Sequence, residues 1–336
     1  MPLVTVIIPT FNRARLVCEA IESVLRQTHR DVEAIVIDDA SGDDTRRVLT
    51  ERFRAEIEQQ RVVYLRNETH QERSVTRNRG IAAARGEYIA FLDDDDLFLP
   101  DHLEKCLRRL RNCDAVGAGG FDTDLDGNPI RAHAFPFRGR LTANELALLG
   151  LGINCCNAVI RREIVLRAGG FREEMHQGED IDFFMRVAMI GRLRLSKKRT
   201  VYRRVHDSHY TFDRQAMNRI RFQDGLKTML LENSKRLGYP LSKRLVGYLH
   251  LLLAWNGAGA GRRRYAYDRL KEALHHYPLL LLTEPHTFRV VGRMLLLANM
   301  PLYELLRKAK HTCRPMPQPP ASAVKAAGKT IHGKMI

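Results

Sequence analysis

The sequence predicts an α/β protein: a mostly parallel sheet sandwiched by helices, followed by a smaller, basic α-helical region. Three observations predict it. Short apolar runs at residues 3–9, 32–38, 62–65 and 88–92 alternate with amphipathic stretches, the βαβαβαβ order of a parallel sheet with right-handed crossovers. Two of these runs end abruptly in acids, Asp38-Asp39 and Asp93-Asp94-Asp95-Asp96, at the strand ends where such sheets bind ligands. Charge also divides the chain. Of 55 basic and 39 acidic residues, 33 of each lie within 1–213, whereas 214–336 holds 22 and 6, the whole of the net +16.

Each element has its own local reason. The run 3–9 is an apolar strand. Residues 13–27 form a helix, with Leu16, Val17, Ala20, Ile21, Val24 and Leu25 on one face. The second strand, 32–38, leads into Ser41-Gly42-Asp43-Asp44, a turn and cap for a helix over 45–59. A third strand (62–65) and a helix from about 74 to 84 precede the fourth strand. Beyond Asp96 the alternation loosens. Pro100-Asp101 caps a helix reaching Arg111. Strands are expected at 115–119, 157–160 and 199–204, helices at 141–149 and 180–190, and a hairpin-like turn at 122–129. From residue 214 onward the residues favour helices, with apolar faces at 245–255, 265–275 and 286–310. The segment 315–336, rich in Pro, Ala and Lys, reads as a disordered tail. The expected division is 1–213, 214–314 and 315–336.

Composition narrows the class. At 44% hydrophobic over 336 residues, the chain can bury one large core or two ordinary ones. The six cysteines contain no CxxC pair, and a strand begins almost at the start of the sequence, so no secretory leader is expected. The expectation is a cytoplasmic chain with reduced thiols. No apolar run reaches the ~20 residues of a spanning helix. The basic back half, with Arg262-Arg263-Arg264 and Arg307-Lys308-Lys310 beside apolar stretches, suits an anionic membrane surface and a peripheral location on its inner face. Nucleic acid is disfavoured, because the charge lacks interleaved aromatics and a reading motif.

Four constellations fall at successive strand ends. Pro9-Thr10-Phe11-Asn12 opens the first helix, where free N–H groups and a hydroxyl can meet a ligand. Asp38-Asp39 can accept hydrogen bonds from a base or ribose. Arg73 and Arg77, four apart, share a helix face suited to phosphates. The four acids 93–96 repel one another, a cost that a divalent cation such as Mg²⁺ or Mn²⁺ offsets. Taken singly, each group has a bland alternative as a cap, a turn or a surface ion pair. A fifth group, Gly178-Glu179-Asp180, heads an amphipathic helix, where acids also simply favour the helix dipole. Asp122-Thr123-Asp124-Leu125-Asp126-Gly127 imitates a calcium loop, but His133 stands where the bidentate Glu belongs, and a turn is the better reading. Cys155-Cys156 reads as a buried thiol pair.

Together, Thr5-Val6-Ile7-Ile8-Pro9-Thr10-Phe11-Asn12, Val36-Ile37-Asp38-Asp39-Ala40-Ser41-Gly42-Asp43-Asp44-Thr45, Arg77-Asn78-Arg79-Gly80-Ile81 and the run from Gly86 to Asp96 resemble the family 2 glycosyltransferases of the GT-A fold, over roughly residues 1–210. The resemblance implies transfer of a sugar, with inversion, from a nucleotide diphosphate sugar to a glycan or lipid-linked acceptor, in cell-surface polysaccharide or lipopolysaccharide assembly. It favours a UDP-sugar over GDP- or dTDP-sugars. It implies that Pro9, Thr10, Asn12, Asp39, Arg77 and Asp94 meet the nucleotide. Asp93 and Asp95 would form a DxD that holds Mn²⁺ or Mg²⁺, with Asp96 and His206 as further ligands. Asp180 would be the base that deprotonates the acceptor, with Glu179 the lesser candidate. The competing readings are a nucleotidyltransferase or metal-dependent phosphohydrolase on a similar sheet, and a non-enzymatic membrane scaffold. The first lacks its Gly-rich, Lys-bearing loop at Pro9–Arg13, and the last does not need intact acid clusters.

Overall fold

The computed structural model describes residues 2–133, 139–148, 153–175, 178–205, 216–259 and 262–278. His206, the expected helix 286–310 and the expected tail 315–336 lie outside the described residues.

The apolar runs at 3–9, 32–38 and 88–92 become strands buried on both faces, whereas the run at 62–65, at the sheet edge, is only partly buried. Strands β1 (Val4–Thr10), β2 (Val32–Asp38), β3 (Val62–Arg66) and β4 (Tyr88–Phe91) pair in parallel in the order β3-β2-β1-β4. The helices between them cover both faces: α1 (Ala14–Leu25), α2 (Thr45–Arg52), α3 (Arg54–Glu58) and α4 (Glu72–Ala83). The single helix expected over 45–59 is interrupted at Phe53, whose buried ring sits at the junction of α2 and α3. Helix α4 begins two residues earlier than its apolar pattern, from a Glu72 held at φ 74°.

The second half extends the same sheet. The additional strands are β5 (Leu97–Phe98), β6 (Ala115–Thr123), β7 (Pro129–His133), β8 (Gly139–Leu141), β9 (Ala158–Arg161) and β10 (Leu193–Arg204), and the order continues β4-β9-β6-β10-β5. Strand β9 runs antiparallel to both neighbours, whereas β6 and β10 are parallel. Strand β7 hairpins onto β6 through a turn in which Asp124 accepts from the Asp126 and Asn128 backbone N–H groups at 3.0 and 2.8 Å. That is the turn expected in place of a calcium loop. Helices α5 (His102–Leu110), α6 (Ala143–Leu148), α7 (Arg162–Ala168) and α8 (Glu179–Ile190) flank this half.

Helices α9 (Ala216–Leu237), α10 (Lys243–Gly259) and α11 (Arg263–His276) form the basic region. Met229, Leu230, Leu245 and Leu249 of α9 and α10 join the hydrophobic cluster that contains Phe91, Phe183 and Phe184. A buried polar link accompanies that packing. Asp182 of α8, with no exposed surface, accepts from Arg186 Nε and from Asn233 Nδ2 of α9, both at 2.8 Å. Arg172 Nη2 donates to Asn233 Oδ1 at 2.7 Å. The helix that starts at Glu179-Asp180 is therefore fixed from both the sheet and the basic region.

Candidate functional site

The carboxyl ends of β1, β2 and β4 are adjacent in the sheet, so the loops that follow them meet. Thr10 Oγ1 donates to Asp94 Oδ2 at 2.8 Å. Asn12, at φ 53°, uses its backbone N–H to reach Ser41 Oγ (2.9 Å), and its side-chain Oδ1 accepts from Gly42 N (2.7 Å). Asn12 thus ties the loop after β1 to the loop after β2. Asp38 is fully buried and accepts from Ser41 N (2.8 Å), Tyr64 Oη (2.6 Å) and Arg66 Nη1 (2.8 Å). Burial and this carboxylate push the Tyr64 phenol up to about 12.

Asp39 is equally occupied. Its Oδ1 accepts from Asn67 Nδ2 (2.6 Å) and Gln71 N (2.9 Å). Its Oδ2 accepts from Glu72 N (3.0 Å), and His70 Nδ1 lies 2.8 Å away. The expectation that Asp39 holds the nucleotide thus meets a carboxylate whose four accepting positions are already engaged. The paired phosphate grip of Arg73 and Arg77 does not form either. Arg73 is exposed, whereas Arg77 is buried with Nη2 on Asp93 Oδ1 (2.9 Å) and Nη1 on Glu179 Oε1 (3.1 Å).

A turn separates the four acids after β4. Asp96 N donates to Asp93 O at 3.1 Å, and the side chains diverge from there. Asp94 Oδ1 and Asp95 Oδ2 both take Arg13 Nη1, at 2.8 and 2.6 Å. Burial pushes Asp94 up to about 6 despite Arg13. Asp93 and Asp96 gather instead with Cys156, one ligand atom from each lying within 4.8 Å of the others. Asp96 Oδ1 accepts from Arg204 N at 3.0 Å, while the buried Arg204 guanidinium donates to Asp95 O and to Glu19. Burial, with Asp93 and Asp95 nearby, raises Asp96 well above the ordinary carboxylate range. A fixed cation would relieve that cost, and the two carboxylates fit a hard divalent ion. Cys156 fits it less well, since burial holds the thiol protonated far above its usual range. Of the expected DxD pair, Asp95 faces Arg13, whereas Asp93 lies with Asp96 and Cys156.

Asp180 stands in the first turn of α8, after Gly178 at φ 75°. Burial and then Glu179 push its carboxyl up to about 6. The link from Asp93 through Arg77 to Glu179 brings this helix start to the acid turn. Sequence reasoning missed Arg13, Cys156, Arg204 and His70. Arg13 directly follows the Pro9–Asn12 group, the one signal that could have found it. The five described cysteines are all buried and unpaired.

The fold and site define a class: a nucleotide-sugar-transferase-like α/β domain with an acid turn after its fourth strand. Residues 5–168 match the family model for glycosyl transferase family 2. The likeness to that family covers this N-terminal domain, just under half of the chain. The GalNAc(5)-diNAcBac-PP-undecaprenol beta-1,3-glucosyltransferase of Campylobacter jejuni is 35% identical over 129 residues, 38% of this chain and 41% of that protein. Of the length of other curated relatives, an uncharacterized glycosyltransferase of Nostoc among them, the chain spans 44% to 63%. Sequence likeness therefore identifies the domain and not the whole protein's activity. Two solved structures share the fold. The Staphylococcus aureus protein TarS, residues 1–349 in complex with UDP, aligns with TM-score 0.59 at 18% identity, over 92% of this chain and 87% of that one. Mannosyltransferase PcManGT of Pyrobaculum calidifontis, in complex with GDP-Man and Mn²⁺, aligns with TM-score 0.54 at 19% identity, over 93% and 84%. The sheet is thus GT-A-like, with helices on both faces. Among the described residues, no helix is long and apolar enough to cross a membrane.

Proposed function

We propose that the protein transfers a sugar from a nucleotide diphosphate sugar to an acceptor hydroxyl, inverting the anomeric centre. One observation carries the reading: Arg77 joins Asp93 of the acid turn to Glu179 beside Asp180. A single displacement needs a leaving-group site and a base on opposite sides of one reacting carbon. Arg77 fixes the two carboxylate groups relative to each other.

The nucleotide is assigned to the ends of β1, β2 and β4, near Pro9, Thr10, Asn12 and Asp39. Asp93 and Asp96 would hold Mn²⁺ or Mg²⁺, which when bound neutralises charge on the departing diphosphate. Arg13 pairs with Asp94 and Asp95 and so keeps four acids from repelling one another in one place. Asp180 accepts the acceptor's hydroxyl proton as the new C–O bond forms and the bond to the diphosphate breaks. Its raised carboxyl makes it a stronger base than an ordinary aspartate. Relatives and fold neighbours support the substrate class: UDP and GDP-Man occupy the two solved structures, and the Campylobacter relative is named for an undecaprenol-linked glycan. A UDP-sugar and a glycan or lipid-linked acceptor in cell-surface polysaccharide assembly are assigned on that basis. The basic segment 214–336 is assigned to an anionic membrane surface, where salt should release the protein from anionic vesicles.

The test is a panel of nucleotide sugars with and without Mn²⁺, scored by nucleotide release in the wild type and in Asp180→Asn. Metal-dependent turnover of one donor that Asp180→Asn abolishes supports the reading. Normal transfer by Asp180→Asn would remove the base assignment, and the absence of turnover with every sugar nucleotide would remove the activity.

A further inference from the structure

We infer that α9, α10 and α11 enclose a binding site for a phosphate-type anion, centred on Arg269 and His250 and completed by Lys227 and Tyr265. The inference does not depend on the sugar-transfer reading. It differs from a diffuse attraction of the basic segment to membranes in naming a defined site. Helix α10 packs against both α9 and α11. Leu251, Ala254, Ala266, Leu270 and Ala273 close the apolar side of the α10–α11 contact. A polar stripe runs beside it. Tyr265, Arg269, Glu272 and His276 recur every three or four residues and so share one face of α11. The Tyr265 ring lies against Gly257 of α10, where a Cβ would come within 2.7 Å of the ring's Cδ1. Further along, the His276 ring stacks on that of His250 of α10, with centroids 5.5 Å apart and planes 19° from parallel. The guanidiniums of Arg262 and Arg269 lie 5.3 and 5.6 Å from the Tyr265 ring centroid.

Three polar atoms of this stripe are buried with no hydrogen-bond partner among the described residues: His250 Nδ1, Tyr265 Oη and Arg269 Nε. His250 as a whole is only 7% exposed. Buried polar atoms are normally paired, so three orphans in one place call for a ligand. Water would complete their hydrogen bonds but would leave the charge unanswered. Burial, and then the cations Lys227, Arg269 and His276, push His250 down to about 4, with Glu272 opposing. The Lys227 side chain is itself 13% exposed. Two acids stand nearby, and neither cancels this excess: Asp224 is already paired with Lys227 at 3.0 Å, and Glu272 is exposed to water. One group answers both deficits, an anion with several acceptor oxygens. A phosphate can take the Arg269 N–H and the Tyr265 hydroxyl as donors, with Lys227 as a point charge.

The test has two arms on the full chain. Calorimetric titration of inorganic phosphate in EDTA, which removes any metal-borne phosphate binding, probes the site in solution. Flotation with phosphatidylcholine vesicles, with and without phosphatidic acid, presents the same phosphate chemistry on a lipid. Both arms compare the wild type with Lys227→Met, Arg269→Met and Lys271→Met. Lys271 is exposed, with its Nζ 5.8 Å from the Tyr267 ring, so its loss removes the same charge outside the site. Lys227→Met and Arg269→Met should each weaken phosphate binding by roughly ten- to a hundred-fold, the range of a charge-assisted hydrogen bond, while Lys271→Met leaves it unchanged. That pattern in the phosphate arm identifies a soluble ligand, and in the vesicle arm alone a lipid headgroup. Either result supports the site. Tyr265→Phe deletes only the unpartnered hydroxyl and keeps the test decisive should a cation variant fail to fold. It should lose roughly five- to ten-fold in affinity. Binding in neither arm, equal losses in Lys271→Met and the two site variants, or full affinity in Tyr265→Phe overturns the inference.

Discussion

Arg77 Nη1 donates to Glu179 Oε1 at 3.1 Å, joining residues 102 positions apart. The same guanidinium holds Asp93 at 2.9 Å. The start of α4 thereby clamps the acid turn after β4 to the start of α8. Arg77→Met should leave the nearly buried Glu179 without its counter-charge. Breaking a buried pair in this way costs about 3–5 kcal/mol, and the partial exposure of Asp93 places this case at the low end. Chemical denaturation of the variant measures it, and an unchanged midpoint would deny the clamp.

Asp180→Asn removes the proposed base but preserves size and the helix start. Transfer should fall by about 10²–10⁴-fold, with affinity for the nucleotide unchanged. With burial and Glu179 pushing this carboxyl up to about 6, and the proposed base acting in its ionised form, the rate should climb with pH up to that value and level off above it. The stability link has the opposite sign. A carboxyl raised in the folded state above its usual 3.8 favours folding at low pH, and that contribution is lost as pH rises from about 4 through 6. A pH–rate profile with no ionisation in this window would count against the assignment.

Gly80 packs α4 against the sheet at a distance that only a hydrogen permits. A Cβ there would meet Ile7 Cγ2 at 2.5 Å and Ile37 Cδ1 at 2.8 Å. Gly80→Ala should destabilise by about 1–3 kcal/mol despite the better helix propensity of alanine. Because Arg77 lies one turn earlier on the same helix, nucleotide binding should weaken along with stability. Thermal unfolding and a nucleotide titration on the same sample check the pair of effects.

Asn233 links α9 to α8 entirely out of water, donating to Asp182 and accepting from Arg172. Asn233→Leu leaves both partners short of a hydrogen bond, at a cost of about 1–3 kcal/mol. Equilibrium unfolding tests it, and a neutral result would mean that α9 rests on its apolar contacts alone.

Much of the first half was legible in the sequence because its signals are local. The runs at 3–9, 32–38 and 88–92 are buried on both faces and the run at 62–65 is apolar but partly buried, and β1 to β4 fall on them within a residue or two. The loops that open at Thr10, Asp39 and Asp93 follow from strand order alone. What could not be read depends on partners far along the chain. Strand β9 is apolar like its neighbours, and nothing in a four-residue run distinguishes antiparallel from parallel pairing. The run Asp93–Asp96 looks like one cluster, yet a single turn hands two acids to Arg13 and two to the Cys156 side. Asp39 reads as an open acceptor until Asn67, His70 and the start of α4 fold onto it.

The carboxylates of Asp93 and Asp96 are proposed to grip a diphosphate through a divalent cation. Calorimetric titration of UDP into the wild type and into Asp96→Asn, each with Mn²⁺ and with EDTA, addresses it directly. Binding should require Mn²⁺ in the wild type and be lost in the variant, whose thermal stability is retained or raised because a costly buried acid has been neutralised. Equal UDP affinity with EDTA, or undiminished Mn²⁺-dependent binding by Asp96→Asn, would contradict it.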